Sequence, residues 1–369
     1  MTTRKNMIGI YIHIPFCKGK CPYCDFYSLK ADESKKDSYL KAVLFEIEKW
    51  KSKVTDPVDT IYFGGGTPSV FGAERIKKTI DCIKDNYILV SPQITVECNA
   101  SSTDEKFFKA LSSAGVNRIS MGLQSAAEKE RKILGRHADK NTVSSAIENA
   151  KKAGITDISL DLMLGVPYQT IASLDESIDF LLNAGITHIS AYMLKIEEGT
   201  PFAERQDSLT LPDEDEVCDM YFHTVKRLRE KGFAQYEISN FSLKGYESRH
   251  NLKYWHCEEY LGIGPSAHSF LDGKRFYYPR DLVAFISGTE VIPDGDGGSE
   301  EEYIMLNLRL TEGLKFEKFK SRFSRFPDPA FTEKAVKFEK MGFLKIDDEG
   351  IRLTERGFLL SNTIIAELL

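Results

Sequence analysis

Short β-rich apolar runs alternate with longer amphipathic runs through the first 232 residues, and this alternation limits the possible folds more than any other feature. The runs typical of strands span residues 7–14, 58–66, 94–100, 117–125, 156–167 and 187–194. The runs typical of helices span residues 38–50, 73–87, 103–115, 141–154, 170–185 and 214–232. About six strand–helix units in succession predict a parallel sheet that is covered by helices.

Two parallel architectures, an open doubly wound sheet and a barrel, are compatible with this alternation. Polar or glycine-rich groups stand at the carboxyl ends of several strands, namely Gly64–Gly66, Glu97, Gln124 and Asp161. A doubly wound sheet builds its crevice mainly from strands beside one switch point, whereas a barrel gathers the ends of all its strands. Polar or glycine-rich groups at the ends of nearly every strand favour an α/β barrel of the TIM type. Six strand–helix units rather than eight predict a partial (βα)6 barrel.

The pattern changes after about residue 235, and we divide the chain there. Residues 1–235 form the predicted barrel domain, and residues 236–293 form an extension rich in aromatic residues and histidine. Residues 294–302 are acidic and rich in glycine, which predicts a surface loop or linker. Residues 300–369 are predicted to form a small α+β winged-helix-like domain, because "GFLKIDDEGIRLTERG" has two strand-like arms around a turn before a helix. Such a module need not bind DNA.

Charge and hydropathy exclude several classes of protein. A net charge of −6 argues against general nucleic-acid binding, which favours a basic surface. The sequence has no apolar run of about 18 residues, so no membrane span is predicted. The apolar run near the start is too short for a signal peptide. We therefore expect a cytoplasmic protein, in which clustered cysteines bind metal or react more often than they form disulfides.

Three of the seven cysteines, Cys17, Cys21 and Cys24, fall within eight residues. A zinc site would need a fourth ligand, for which His13 is a candidate. A catalytic or redox site would need fewer thiols. A 4Fe–4S cluster held by three thiolates would leave one iron open for an external ligand. The remaining cysteines are predicted to be small apolar core residues: Cys82, Cys98, Cys218 and Cys257.

Two motifs together resemble the radical S-adenosylmethionine superfamily. Cys-x3-Cys-x2-Cys follows the first strand, with Tyr23 before the third cysteine, and "FGGGTP" follows the second strand. The resemblance implies a 4Fe–4S cluster on the three cysteines, whose open iron chelates S-adenosylmethionine and whose electron cleaves it to a 5′-deoxyadenosyl radical. Gly65, Gly66 and Thr67 would line the methionine end of that cofactor, where glycines allow close approach of the backbone.

The longer string "YIHIPFCKGKCPYCDF", with "VECNA", "ISMGLQS", "LGRHA" and "ISLDLMLGVP", resembles the oxygen-independent coproporphyrinogen III oxidase family and its haem-chaperone relative. The resemblance covers essentially the whole chain. It implies that the following residues lie at the cluster or contact the cofactor: Tyr11, Tyr23, Glu97, Gln124, Arg136 and Asp161. Plainer roles remain open for some of them. Gln124 can cap a turn, Arg136 can be a surface charge, and Tyr11 can be a half-buried strand residue.

Two departures separate the chain from the oxidase type. That type carries a further cysteine two residues after the third, where this chain has Phe26, and it has a longer arm than the ten residues that precede Tyr11. The segment "HNLKYW" (250–255) instead matches a signature of the haem-chaperone subgroup, often called HemW. His250 would then be a haem ligand beside aromatic faces. The alternative is that His250 is a buried, hydrogen-bonded residue of the core.

The sequence therefore predicts a radical S-adenosylmethionine haem chaperone, which binds haem and delivers it to haem proteins. It leaves the haem acceptor, which could be membrane-bound, and the electron donor unidentified. The second hypothesis is the oxidase, which decarboxylates two propionates to vinyl groups. The third is a binding module stabilised by zinc. No catalytic residue is assigned, and enzymatic activity stays open.

Overall fold

The computed structural model describes residues 7–369, and six parallel strands form its centre. The six strands are β1 (Ile8–Ile14), β2 (Val58–Gly65), β3 (Leu89–Cys98), β4 (Arg118–Gln124), β5 (Asp157–Leu164) and β6 (His188–Met193). All six agree with the predicted strands, and the largest difference is at β3, which begins five residues early, at Leu89. A register shift between Val58 and Thr60 of β2 lets this polar start of β3 keep its pairing.

Helices follow the strands and cover the outside of the sheet. They are α1 (Glu33–Trp50), α2 (Pro68–Phe71), α3 (Ala73–Asn86), α4 (Glu105–Ala114), α5 (Glu128–Ile133), α6 (Lys140–Lys152), α7 (Ile171–Asn183), α8 (Pro201–Glu204) and α9 (Glu214–Glu230). The six predicted helices are present, but α1 begins five residues before the predicted start. The side chain of Asp32 accepts the N–H of Lys35 and so caps the helix at that earlier point.

The segment that follows α9 adds strands to both edges of the parallel sheet. Its elements are β7 (Ala234–Gln235), β8 (Asn240–Ser242), α10 (Arg249–Trp255), β9 (Tyr260–Ile263), β10 (His268–Leu271), β11 (Lys274–Tyr277), α11 (Leu282–Ile286) and β12 (Ile292–Asp296). Strand β9 pairs parallel with β1, and β8 pairs antiparallel with β6. The sheet thus has twelve strands in the order β12-β11-β10-β9-β1-β2-β3-β4-β5-β6-β8-β7. The division at residue 235 stays a prediction, although the sheet continues across it.

The order of the six parallel strands supports the barrel. They pair in chain order, without the reversal that marks a doubly wound sheet. The free edges of β1 and β6 pair with β9 and β8, so the row of parallel strands stays open. The predicted partial (βα)6 barrel is confirmed.

The strands of the barrel present apolar side chains outward and polar side chains inward. Ile10 and Ile12 of β1 are completely buried in the core beneath the helices. Tyr11 points to the other side, where it lies near Tyr62 of β2, and Tyr62 donates a hydrogen bond to Glu97 of β3 at 2.8 Å. Because successive residues of a strand face opposite sides, this alternation places a polar interior behind an apolar outer layer.

Helix α10 covers the amino-terminal end of the barrel strands and carries the "HNLKYW" segment. The ammonium of Lys253 lies 2.8 Å from the carboxylate of Asp59 and donates to the carbonyl of Met7 at 2.9 Å. The backbone N–H of Arg249 donates to Oε1 of Gln93 at 2.8 Å. These contacts tie α10 to the first halves of β1, β2 and β3, opposite to the strand ends at which the predicted site lies.

The last seventy residues form a separate small sheet with helices. Its elements are α12 (Glu300–Asn307), β13 (Leu314–Lys315), α13 (Phe316–Phe323), α14 (Pro329–Lys340), β14 (Leu344–Asp347), β15 (Gly350–Leu353), α15 (Glu355–Leu359) and α16 (Ser361–Leu368). The domain has the arrangement of a winged helix, as predicted: a helix, a strand, two helices and a hairpin in succession. Its three strands lie in the order β13-β15-β14. None of the helices within residues 7–369 is long and apolar enough to cross a membrane.

The prediction of a loop or linker over residues 294–302 is partly wrong. Residues 294–296 belong to β12, which pairs antiparallel with β11 at the exposed edge of the sheet. Residues 300–302 form the first turn of α12, where the hydroxyl of Ser299 accepts the N–H of Glu302 and caps the helix. Only residues 297–299 connect the two elements.

Glu237 lies buried where the barrel meets the C-terminal domain. Its side chain is inaccessible to solvent, and its backbone pairs with Leu310 in an isolated β-bridge. One carboxylate oxygen accepts the N–H of Ser239 at 3.3 Å, and the other has no hydrogen-bond partner among the described residues. Burial raises the pKa of Glu237 to about 7.

Replacing Glu237 by glutamine should stabilise the protein above neutral pH. The folded protein keeps a proton on Glu237 up to about pH 7, whereas the unfolded chain releases it near pH 4.5, so stability falls as the pH rises through this window. An uncharged amide avoids that loss. We expect Glu237→Gln to be more stable by about 1–3 kcal/mol at pH 8 and similar to the parent at pH 5, as measured by urea denaturation.

Glu148→Gln is the control for this prediction, because Glu148 is an exposed glutamate on α6. It should change stability little at either pH. An equal gain for both variants, or a gain for Glu237→Gln that is independent of pH, would contradict the assignment.

Candidate functional site

A cavity opens at the carboxyl ends of the barrel strands and collects most of the predicted site residues. From the predicted set it is lined by Cys17, Cys21, Tyr23, Cys24, Gly65, Gly66, Thr67, Glu97, Gln124, Arg136 and Asp161. Tyr11 and His250 are not among its lining residues. Eleven separate sequence positions from six segments thus meet in one place, as expected for the strand ends of a barrel.

The cysteine loop (residues 17–26) leaves β1 and is held by backbone hydrogen bonds. The N–H of Cys17 donates to the carbonyl of Leu29 at 3.1 Å, which fastens the loop at its base. The N–H of Cys24 donates to the carbonyl of Cys21 at 3.1 Å and closes a turn between these two cysteines. Sγ of Cys17 lies 3.2 Å from Oγ1 of Thr67, which joins the loop to the glycine-rich segment. The three thiols are half-buried and border the cavity.

The glycine-rich segment after β2 packs against the end of β1. The N–H of Gly66 donates to the carbonyl of Ile14 at 2.9 Å, and the N–H of Thr67 donates to the carbonyl of Phe16 at 2.7 Å. A Cβ atom on Gly66 would lie 2.8 Å from that carbonyl oxygen of Phe16. A side chain at this position would therefore separate the two strand ends and move Thr67 away from Cys17.

Arg136 reaches into the cavity from the loop after α5. Its Nη2 donates to the carbonyl of Gly122 at 2.5 Å, and its Nη1 lies 3.9 Å from Sγ of Cys21. A Cβ atom on Gly122 would lie 2.4 Å from Nη2, so glycine is required for this approach. Burial disfavours the charge of Arg136, but Tyr23 and Cys21 outweigh it and raise its pKa. The residue is a cation fixed beside the cysteine loop, and the alternative of a surface charge is excluded.

Two carboxylates, Glu97 of β3 and Asp161 of β5, face this cavity from either side of β4. Burial raises the pKa of Glu97 to about 7 and that of Asp161 to about 6. The hydroxyl of Tyr62 donates to Glu97 and lowers its pKa, while the charge of Asp161 raises it further. Asp161 is stabilised in its charged form by Arg136. Burial thus disfavours the negative charge on both side chains, and a cationic ligand nearby would favour it.

Gln124 ends β4 in a left-handed backbone conformation, with φ of 69°. Its Oε1 accepts a hydrogen bond from the hydroxyl of Tyr192 at 2.9 Å, and the side chain lines the cavity. A positive φ in a non-glycine residue is uncommon and occurs often at binding sites. The side chain faces the cavity rather than a turn of the backbone, so the capping role is not observed.

Several lining residues were not predicted from the sequence: Gly19, Lys20, Phe26, Ser28, Cys98, Asn99, Ser120, Gly122 and Tyr192. The alternation of a strand places Ser120 and Gly122 on one side of β4. Which side faces the cavity depends on the register, in which Ser120 pairs with Glu97 and Gly122 pairs with Asp161. This pairing between distant segments is not visible in the local pattern.

Tyr11 and His13 lie inside the barrel, below the cavity. The hydroxyl of Tyr11 and Nδ1 of His13 are 3.1 Å apart, and Nε2 of His13 lies 3.1 Å from the carbonyl of Tyr27. Burial lowers the pKa of His13 to about 4. Both nitrogens of His13 are occupied within the protein, so the imidazole is not oriented to serve as a fourth metal ligand.

His250 is also a residue of the barrel interior, and its side chain is 1% exposed. Its Nδ1 lies 2.8 Å from Oγ1 of Thr60, and its Nε2 lies 2.8 Å from the hydroxyl of Tyr254. The ring stacks on Tyr62 with centroids 5.3 Å apart, and burial lowers its pKa to about 3. In this arrangement neither nitrogen is open to a haem iron, and the plainer alternative, a hydrogen-bonded core histidine, describes the geometry.

The three thiols of the cysteine loop suit a cluster better than a single ion. Within residues 7–369, no three His, Cys, Asp or Glu side chains converge closely enough to hold one metal ion. A zinc ion needs that convergence, whereas each thiolate of an iron–sulfur cluster binds a different iron. Of the other cysteines, only Cys98 borders this cavity, and its Sγ donates to the carbonyl of Val96 at 3.7 Å, like a small core residue. Cys82, Cys218 and Cys257 lie elsewhere.

Family models match both parts of the chain. The model described as the radical SAM superfamily matches residues 11–181, which include every cavity residue up to Asp161. The model described as the HemN C-terminal domain matches residues 301–360. The first match agrees with the chemistry of the cavity, and the second coincides with the winged-helix domain.

Similar proteins extend over nearly the whole chain. The protein named heme chaperone HemW from Lactococcus lactis is 33% identical, over 97% of this chain and 96% of that protein. HemW from Bacillus subtilis is 33% identical, over 98% and 99%. Radical S-adenosyl methionine domain-containing protein 1, mitochondrial, from Bos taurus is 27% identical, over 98% and 87%.

A solved structure with the same fold is coproporphyrinogen III oxidase (HemN) from Escherichia coli. Its TM-score is 0.85 over 99% of this chain and 90% of that one, at 20% sequence identity. At this identity the likeness establishes the fold, including the C-terminal domain, and not the activity.

Binding of S-adenosylmethionine should strengthen as the pH rises from 6 to 8. Below the raised pKa of Glu97, a cationic ligand must displace a proton, so affinity should increase by about tenfold over this range. Tyr62→Phe removes the hydrogen bond that lowers this pKa, and should move the midpoint of the pH dependence upward. Anaerobic calorimetry measures both effects.

Glu97→Gln is the control, because any pH dependence that it keeps belongs to the ligand or the cluster. An unchanged pH profile in Glu97→Gln would show that another group titrates.

His250→Ala should lower stability and should leave the outcome of a haem titration unchanged. The change leaves the hydroxyls of Thr60 and Tyr254 buried without their partner and opens a cavity, which we expect to cost about 2–4 kcal/mol. Urea denaturation measures the loss, and a haem titration monitored by absorbance tests the ligand role. His256→Ala, at a half-exposed neighbour, is the matched control. Loss of the bound-haem spectrum at unchanged stability would restore His250 as a haem ligand.

Proposed function

We infer the function from one premise: the chain belongs to the HemW family, and its first half belongs to the radical SAM superfamily. We propose that it is a haem chaperone, which binds haem and delivers it to haem proteins. The observation that carries this proposal is similarity to several bacterial HemW proteins along nearly the full length of both chains, at about one third identity. A partial match to the superfamily alone would support only the cofactor chemistry.

We propose that Cys17, Cys21 and Cys24 hold a 4Fe–4S cluster and that S-adenosylmethionine binds in the cavity beside it. Together these groups supply one-electron chemistry that protein side chains lack. The residues of the chain position and balance them. Arg136 offsets the negative charge of the thiolates, and Thr67 is held next to Cys17 by the glycine-rich segment.

Glu97 and Asp161 support a cationic ligand in this cavity. Their raised pKa values show that burial disfavours their charges while no ligand compensates them. A sulfonium or an amino group nearby would favour the charged carboxylates and so gain affinity from them. Gly65 and Gly66 leave backbone groups accessible in the wall of the same cavity.

The oxidase remains the second candidate, and the cysteine loop argues against it. Phe26 borders the cavity with 66% of its surface exposed. It stands where the oxidase type is expected to carry a further cysteine. A phenylalanine cannot ligate metal or transfer a proton, whereas its face can contact the apolar ring of a porphyrin.

The partners of the proposed chaperone are haem and a protein that accepts it, with a separate electron donor. We place the protein in the reducing cytoplasm, where cysteines typically bind metal or remain thiols rather than pair in disulfides. We do not propose nucleic acid as a partner of the winged-helix domain, because the net charge of the chain is acidic.

The test is an anaerobic comparison of haem transfer with porphyrin turnover. The purified protein should bind haem and restore the spectrum of an apo-haem protein when the two are mixed. Coproporphyrinogen III with S-adenosylmethionine and a reductant should not be decarboxylated. Catalytic formation of protoporphyrinogen would establish the oxidase instead.

The same preparation tests the cluster. It should be brown, and Cys17→Ser, Cys21→Ser or Cys24→Ser should each remove the broad visible absorbance and the bound iron. Cys218→Ser, outside the cavity, should keep both. Colourless parent protein with bound zinc would contradict the cluster.

A further inference from the structure

We propose that a basic recess beside the cysteine loop binds carboxylates and holds the propionate groups of haem. The proposal rests on the haem-binding function and gives that function a location. The recess has a volume of about 330 Å³ and lies next to the cofactor cavity, with which it shares Cys21, Thr67 and Arg136. A ligand in it would therefore lie beside the cysteine loop, at the edge of the cofactor cavity.

The walls of the recess carry cationic and potentially cationic side chains. Lys18 and Lys20 come from the cysteine loop, and Arg136 and His137 come from the loop after α5. None of the described residues that line the recess is acidic. In a chain of net charge −6, four such side chains around one recess form a local region of opposite sign.

The two lysines of this recess are not used by the fold. Some basic side chains on the barrel helices are paired, as are Arg75 with Glu33 and Lys140 with Glu176. Lys18 and Lys20 are exposed and form no salt bridge within residues 7–369. Two exposed ammonium groups and one guanidinium fixed by its hydrogen bond to Gly122 suit a ligand with more than one carboxylate.

Neutral donors complete the fit for a carboxylate. The hydroxyls of Thr67 and Ser101 are in the wall, and Asn99 lies beside them. Asn99 is fixed because its side chain accepts the N–H of Ser101 at 3.0 Å. A carboxylate that enters would meet hydrogen-bond donors as well as positive charge.

The cysteine loop offers an apolar contact on its other side. Phe26 is exposed at the rim of the cofactor cavity, and Lys20 lines both this cavity and the recess. Haem is an apolar disc with two carboxylates at one edge. Haem that packs on Phe26 and directs its carboxylates to Lys18 and Lys20 would match both the apolar and the basic part of this surface. It would then lie over the mouth of the cofactor cavity.

S-adenosylmethionine also carries a carboxylate that this recess would recognise. Haem dimethyl ester, whose carboxylates are blocked, tests whether the propionates of haem are the groups that bind there. The double variant Lys18→Gln/Lys20→Gln should bind haem about tenfold more weakly than the parent. Parent and variant should bind the dimethyl ester, which lacks free carboxylates, with equal affinity. Iron content should be unchanged, which also shows that the loop is intact.

Two further variants complete the design. Lys18→Arg/Lys20→Arg keeps the charges and should restore haem affinity, whereas Phe26→Ser should weaken haem and its ester alike. Lys226→Gln/Lys244→Gln removes two exposed lysines away from the recess and should leave haem affinity unchanged.

Equal haem affinity in the parent and Lys18→Gln/Lys20→Gln would overturn the recess and leave the chaperone function standing. Weaker S-adenosylmethionine binding at unchanged haem affinity would assign the recess to that cofactor and also overturn the proposal. A parent protein that binds no haem would overturn the chaperone function and the recess together.

Discussion

Parallel pairing of six strands in chain order is the constraint on which the rest of the structure depends. It brings the carboxyl ends of all six strands to one rim, so residues more than a hundred positions apart, such as Cys17 and Asp161, border the same cavity. The hydrogen bonds of Gly66 and Thr67 to the end of β1 then fix the cysteine loop against the second strand. The spacing of the three cysteines can place their thiols around one cavity only because that loop is held at this rim.

The polar interior of the barrel carries an electrostatic cost in the free protein. Glu97 and Asp161 are buried with raised pKa values, and Arg136 is held beside them at the cysteine loop. Buried charges that compensate one another incompletely are rare where stability alone decides the sequence. When a charged ligand binds beside these residues, its charge favours theirs. The residues therefore increase affinity for the ligand and lower the stability of the free protein.

Local sequence patterns determine the elements but not their distant partners. The alternation predicts all six barrel strands, and eleven of the residues that the family resemblance implies for the site line one cavity. The pairing of β9 with β1 and the side of β4 that faces the cavity depend on register between segments far apart in the chain. The same limit applies to His250: its motif suggests a haem ligand, but its surroundings come from Thr60 and Tyr62 of β2, which no local pattern connects to it.

The position of the "HNLKYW" helix suggests why a subgroup signature need not be part of the ligand site. Helix α10 covers the amino-terminal end of the strands through Lys253 and Asp59, while His250 stacks under Tyr62. Tyr62 in turn donates to Glu97, which lines the cavity at the opposite end. A residue at the base of the barrel is thus two contacts away from a cavity carboxylate. Selection on the orientation and pKa of Glu97 can act on His250 without any contact between His250 and a ligand.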